Sequence, residues 1–109
     1  DLFVCPSIYE PLGIVNLEAM GCETAVLGSR VGGIPEVVSD NQTGRLVDYD
    51  AADPKAFESN LAAQITELMA KPELLEKMGK AGRIRAKEHF GWDSIALQTI
   101  ELYRKVLAR

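Results

Sequence analysis

The chain sets short, wholly apolar runs between longer stretches in which apolar residues recur every three or four positions. Leu2–Cys5 (LFVC) is a continuous apolar run closed by Pro6, the pattern of a strand covered on both faces, as in a parallel sheet. After a turn at SIYEPLG, the segment IVNLEAMGC puts Val15, Ala19 and Cys22 at helical spacing, with Gly21 weakening the helix end. TAVLGS predicts a second strand. The Gly32-Gly33 pair then marks a tight turn, and Pro35 with Glu36 opens a short helix. SDNQTG is loop chemistry, and residues 45–49 (RLVDY) predict a third strand.

The second half reads as helix. Asp53 supplies an N-cap and Pro54 a first helical position. Phe57, Leu61, Ile65, Leu68 and Met69 form the buried stripe of the helix that follows, down to about Ala70. Pro72 starts another helix with Leu74, Leu75 and Met78 inside, which Gly79 and Gly82 are expected to slacken before it resumes to about Phe90. Gly91 breaks it. Asp93 or Ser94 caps the last helix, whose apolar face is Ile95, Ile100, Tyr103, Val106 and Leu107. This alternation predicts an α/β fold: a parallel, three-layer, Rossmann-like half-domain of about three strands with helices on both faces. Three strands are few for that architecture and the first begins at residue 2, so the expectation is a portion of a larger sheet.

Composition narrows the function classes. A hydrophobic content of 47% with 26% charged residues is that of an ordinary soluble domain with a real core. A net charge of −4 without a dense Lys/Arg cluster argues against phosphate-backbone binding, so no nucleic-acid partner is expected. The late basic residues, in KMGKAGRIRAK, alternate with apolar ones and read as a solvated helix face. Cys5 and Cys22 sit in apolar runs without metal-ligand spacing, which predicts buried free thiols in a reducing compartment. His89 is the sole histidine; it falls at a helix end, and no metal or cofactor is expected. No apolar run has membrane length, so the expected address is cytoplasmic, with no membrane partner.

The candidate chemistry lies in YEPLGIVNLEAM. In open parallel sheets ligands bind beyond the carboxyl ends of the strands, and residues 7–13 make such a turn. Gly13 lets the backbone approach a ligand, and the amides of Gly13, Ile14 and Val15 at the helix start form an anion site. Glu10 and Glu18 flank that tip on the order of 10 Å apart, and neither has a lysine or arginine within ten residues. Carboxylates accept hydrogen bonds from hydroxyls, so the order acid, helix tip, acid fits the sugar, diphosphate and ribose of a nucleotide sugar. On spacing alone, Glu10 as a helix cap and Glu18 as a solvated helix residue account for the pattern as well.

The stretch resembles the glutamate-seven-residues-glutamate motif of retaining glycosyltransferases with the two-domain GT-B fold, in the large family 4 that includes bacterial glycogen synthases. EPLGIVNLEAMGCETAVLGSRVGGIPEVV, TGRLV and FGWDSIALQTIELY are similar to the C-terminal end of that family over essentially the whole chain. The wording YEPLGIVNLEAM followed by CETAV is most like the actinobacterial-type glycogen synthases.

The resemblance implies that residues 1–109 are the C-terminal part of the donor-nucleotide-binding domain. It implies glucose transfer from a nucleotide diphosphate glucose, ADP-glucose favoured, to α-1,4-glucan. Family members forming maltose 1-phosphate, sucrose or mannosides are the alternatives. Glu10 would contact hydroxyls of the transferred sugar near the reacting centre, and Glu18 the ribose hydroxyls. The amides of Gly13, Ile14 and Val15 would meet the sugar and diphosphate, with Leu12 and Ile14 walling the pocket. Gly32, Gly33 and Glu36 match a second glycine turn that shapes the cleft, and Thr43-Gly44 a structural loop.

The arginine and lysine that neutralise the diphosphate, the catalytic histidine and the acceptor domain that binds glucan belong to other segments in that family. A helix tip contributes roughly 0.3–1 kcal/mol, against the several kcal/mol that a leaving diphosphate requires. The isolated chain is therefore expected to be inactive, or to serve as a non-catalytic binding module. Its open edge beside Leu2–Cys5 and the apolar face of its last helix predict self-association.

Overall fold

The structure, a computed structural model describing residues 1–109, is built around β2 (Ala25–Ser29), a strand buried along its whole length. It pairs in parallel with β1 (Leu2–Cys5) on one side and β3 (Gly44–Val47) on the other. Leu2 lies opposite Ala25, and Ser29 opposite Val47. The two-residue period of the strands sorts the core into two layers. Ala25, Leu27 and Val47 face one side and pack with Phe57, Leu68, Leu75 and Met78. Val26 and Cys5 face the other, with Met20, Ile34, Val37 and Val38.

Helices α1 (Ile14–Gly21) and α2 (Ile34–Val37) cover this second face, and α3 (Pro54–Met69) covers the first. The long α4 (Pro72–Phe90) serves both. Leu75 and Met78 join one layer, while Ala86 and Phe90 pack against the other. The expected three-layer α/β half-domain is therefore present, but β1 is only half covered: Leu2, Phe3 and Val4 are half-buried because no strand lies on its outer edge. No helix is long and apolar enough to cross a membrane.

Local signals explain most of these elements. Asp53 caps α3, its carboxylate accepting from the Ala56 amide at 3.2 Å, and Pro54 follows as the first helical residue. Arg45 ties β3 to α3 through Gln64 (2.8 Å) and Glu67 (3.1 Å), and Lys71 together with Arg45 holds the Glu67 carboxyl below its ordinary range. The third strand stops at Val47, short of Tyr49, whose ring instead meets Phe57 edge-on at 5.4 Å.

Several expectations are corrected. The buried face of α1 carries Asn16 and Met20, whereas Val15 is 46% exposed and Cys22 is exposed beyond the helix end. Met20 packs under α4 against Gly82 with Ala19 half-buried on the same core layer, and Cys5 alone is a buried thiol. Met69 lies at the open end of its helix and is exposed. The last helix, α5 (Trp92–Leu107), begins before Asp93 with Gly91 as N-cap and no side-chain cap. Arg85 is not part of a solvated face. Its Nε and Nη2 donate to the carbonyls of Val37 and Glu36, both at 2.9 Å, closing the end of α2, and its guanidinium lies over the Phe90 ring.

Gly79 and Gly82 do not slacken α4, which runs unbroken through both. A Cβ on Gly79 would stand 2.0 Å from the Glu23 carbonyl oxygen, and one on Gly82 3.4 Å from Cγ of Met20. The glycines are the places where α4 presses against the entry to β2 and against α1. Alanine is the better helix former by about 0.8–1.0 kcal/mol, yet Gly79→Ala is expected to destabilise the protein by about 1–3 kcal/mol through overpacking. Urea unfolding checks this, and an unchanged or raised midpoint would refute the close approach.

The outer edge of β1 and α5, which buries no residue and leaves Trp92 88% exposed, are open surfaces. The 109-residue chain alone is expected to self-associate through them. Light scattering that reports a monomer at high concentration would count against this.

Candidate functional site

The carboxyl ends of β1 and β2 carry two turns that lie against each other. Beyond Cys5 the chain passes through residues 6–13 into α1. Beyond Ser29 it passes through the Gly32-Gly33 turn into α2. Buried Ser29 fastens the first turn: its hydroxyl donates to the Ser7 carbonyl, with the Cys5 carbonyl 3.3 Å away. The second turn fastens it again, since the Gly33 amide donates to the Glu10 carbonyl at 2.9 Å. A Cβ on Gly32 would lie 1.9 Å from that same carbonyl oxygen, and one on Gly33 2.2 Å from the Pro11 oxygen. Gly32 also sits at φ 55°, in the left-handed region.

Glu10 is thereby fixed in backbone and half-buried in side chain. Its Oε2 accepts from the Ser7 hydroxyl at 3.4 Å, and that hydroxyl lies 3.5 Å from the Cys5 thiol. A bond of 3.4 Å is long for O–H···O, so the carboxylate is held loosely enough to turn toward a ligand.

Gly13 caps α1 in the left-handed conformation, φ 87° and ψ 55°, and no side chain closes the helix. The Ile14 and Val15 amides therefore have no intrahelical partner, and their side chains are exposed. An open groove of about 330 Å³ runs along this tip, lined by Glu10, Pro11, Leu12, Gly13, Ile14 and Val15. Five of the six residues singled out in the sequence thus meet in one groove. Glu18 does not line it; it stands exposed one turn beyond Ile14, on the same stripe of α1.

Arg30, the nearest cation in the sequence, is already engaged. Its guanidinium bonds Asp48 at 2.7 Å and Asp40 at 3.0 Å, and these partners raise its pKa above the ordinary value. No cation lines the groove, and its one feature that favours an anion is the open helix tip. A hollow of about 410 Å³ lined by Asp1, Glu23, Met69, Pro72, Leu75 and Glu76 lies near the amino ends of the strands, the wrong end of such a sheet for a ligand.

Three polar residues escaped the sequence reading. Ser7 and Ser29 are ordinary turn and strand-end serines until their hydrogen bonds are seen. Asn16 is wholly buried, with neither amide atom partnered. Its only signal, a polar residue four positions before a core methionine, requires knowing which face of α1 is buried.

A parallel sheet with an open helix tip, a glycine turn and a half-buried acid at its carboxyl ends defines a half-domain of Rossmann-like type. Residues 1–85 match the family described as glycosyl transferases group 1, and the chain belongs to that family. It is 60% identical over 107 residues to the alpha-maltose-1-phosphate synthase of Mycolicibacterium smegmatis, covering 98% of this chain and 28% of that protein. Among solved structures, sucrose-phosphate synthase from Thermosynechococcus elongatus superposes with a TM-score of 0.77 at 40% identity, over 98% of this chain and 25% of that one. Anabaena HepE, solved with UDP and glucose, superposes with a TM-score of 0.79 at 25% identity, over 95% of this chain and 27% of that one. The chain thus spans about a quarter of the length of these relatives.

Ser29→Ala leaves the Ser7 carbonyl without its buried donor and is expected to cost about 1–3 kcal/mol. Denaturant unfolding measures the loss, and faster amide exchange across residues 7–10 should accompany it. An unaltered exchange pattern would show that Ser29 does not fasten the turn.

Proposed function

We propose that the protein containing this chain is a retaining glucosyltransferase that moves glucose from a nucleoside diphosphate glucose, ADP-glucose favoured, onto a sugar phosphate to form α-maltose 1-phosphate. The supporting observation is the groove that joins Glu10 to the open tip of α1, in a chain 60% identical to a synthase of that name. Elongation of α-1,4-glucan, the reading suggested by the resemblance to glycogen synthases, gives way to its stated alternative, because two of the three relatives described above, the maltose-1-phosphate and sucrose-phosphate synthases, make sugar phosphates by name.

In this reading the diphosphate lies at the amides of Gly13, Ile14 and Val15, where the helix dipole favours negative charge. Glu10 accepts hydrogen bonds from hydroxyls of the glucose, Leu12 and Ile14 wall the sugar, and Glu18 takes the ribose hydroxyls one helical turn away. The anomeric carbon loses its bond to the nucleoside diphosphate and gains one to the acceptor oxygen on the same face, preserving the α configuration, while the acceptor hydroxyl's proton passes to the departing diphosphate. The tip is too weak to stabilise the leaving group unaided, and Arg30 is held by Asp40 and Asp48. Residues 1–109 therefore act as half of a donor site, completed by other parts of the protein, and by themselves are expected to be catalytically silent.

The full-length protein, given ADP-glucose labelled in its glucose together with both glucose 1-phosphate and glycogen, is expected to place the label in a disaccharide phosphate detectable by phosphorus NMR. Label entering glycogen alone would overturn the sugar-phosphate acceptor. Glu10→Gln is expected to lower kcat by about 10²-fold or more with the circular dichroism spectrum unchanged. Wild-type turnover by that variant would remove Glu10 from the mechanism.

A further inference from the structure

Asn16 buries an amide that nothing in the chain satisfies. The residue is 0% exposed, and neither Nδ2 nor Oδ1 has a hydrogen-bond partner. Leaving such a group unpaired is costly, so its presence points to a partner that arrives in another state of the site. The surroundings identify that partner. A methyl group built on Gly13 would lie 2.7 Å from Nδ2 of Asn16 and 3.3 Å from Cγ of Glu10. The amide and the stem of the acid therefore border the same narrow gap beside the Cα of Gly13, one too small for a side chain there. They are separated by no more than those two distances laid end to end. The Glu10 carboxylate meanwhile rests on Ser7 through a long bond of 3.4 Å, which side-chain rotation can exchange for a better one.

We propose that Asn16 is a positioning residue for Glu10: its Nδ2 donates to the carboxylate when Glu10 leaves Ser7 and folds over Gly13 toward a bound nucleotide sugar. One carboxylate oxygen is then held by the amide, and the other retains lone pairs for sugar hydroxyls. Gly13 is required twice, for its φ of 87° and because a Cβ there would fill the space through which the two side chains meet. The buried, unpaired amide of the free site is the structural trace of this second position of the acid. The proposal rests on the role given to Glu10 above.

The test uses the full-length protein. With side-chain ¹⁵N-labelled asparagine, one Asn16 amide proton is expected to move downfield when ADP-glucose or UDP-glucose saturates the wild type, and to stay put in Glu10→Ala. Asn16→Leu, which removes the polar atoms at similar volume, is expected to lower kcat at least about tenfold while donor KM changes less than about threefold. Its melting temperature should equal or exceed that of the wild type, since no protein hydrogen bond is lost. Asn16→Asp, which keeps the shape without the donor, should be at least as slow.

An Asn16 signal that ignores donor saturation would overturn the proposal. So would wild-type kcat in Asn16→Leu while Glu10→Ala is impaired. Full turnover by Glu10→Ala, with the Asn16 shift intact in the wild type, would instead fault the role of Glu10 and leave the hydrogen bond standing.

Discussion

Backbone meets backbone at four glycines, and the rest of the molecule is arranged around those contacts. A Cβ would fall 1.9 Å from a carbonyl oxygen at Gly32 and at Gly44, 2.0 Å at Gly79 and 2.2 Å at Gly33. No side chain fits at such distances, so each position lets two segments touch with nothing between them. Gly44 sets β3 against β2, and Gly79 sets α4 beneath the sheet. Gly32 and Gly33 lay one strand-end turn on the other and so determine where Glu10 stands. The core fills the volume these contacts leave, in two layers separated by β2.

The site inherits its character from that arrangement. One turn carries the acid and the open helix tip, the other supplies the surface that braces them, and Ser29 joins the two. Glu10 is thus rigid in backbone and loose at its carboxylate, a combination that suits the sugar-binding role proposed for it. For the donor role proposed above, the charges within these residues do not suffice. A helix tip attracts a diphosphate but does not neutralise one, and the nearest guanidinium is spent on Asp40 and Asp48. This accords with a chain that covers 28% of its maltose-1-phosphate synthase relative, with the remaining charges expected from the rest of the protein.

Legibility followed the range of the forces involved. The strands at Leu2–Cys5 and Ala25–Ser29 and the capped start of α3 depend on neighbours in sequence, and the apolar runs and Asp53-Pro54 announced them. The acid-and-tip groove was legible because the six residues that line it, Glu10 to Val15, are consecutive. What misled were residues whose partners are distant. Gly79 looks like a helix breaker until Glu23 is seen against it, and Arg85 looks solvated until the end of α2 is placed beneath it. Asn16 drew no reading at all, because only packing shows which side of α1 is buried.

Sequence by itself determined the order of elements, the two-sided character of the sheet, the helix tip with its flanking acids and the membership in a glycosyltransferase family. These follow from periodicity, capping and contiguous motifs, all local properties of a chain. Tertiary structure alone decided which face of α1 is buried, how the second turn braces the first, and that Arg30 is occupied while Asn16 is left unpaired. Each of those outcomes is a competition for space or hydrogen bonds among segments far apart in sequence, and only packing brings the competitors together.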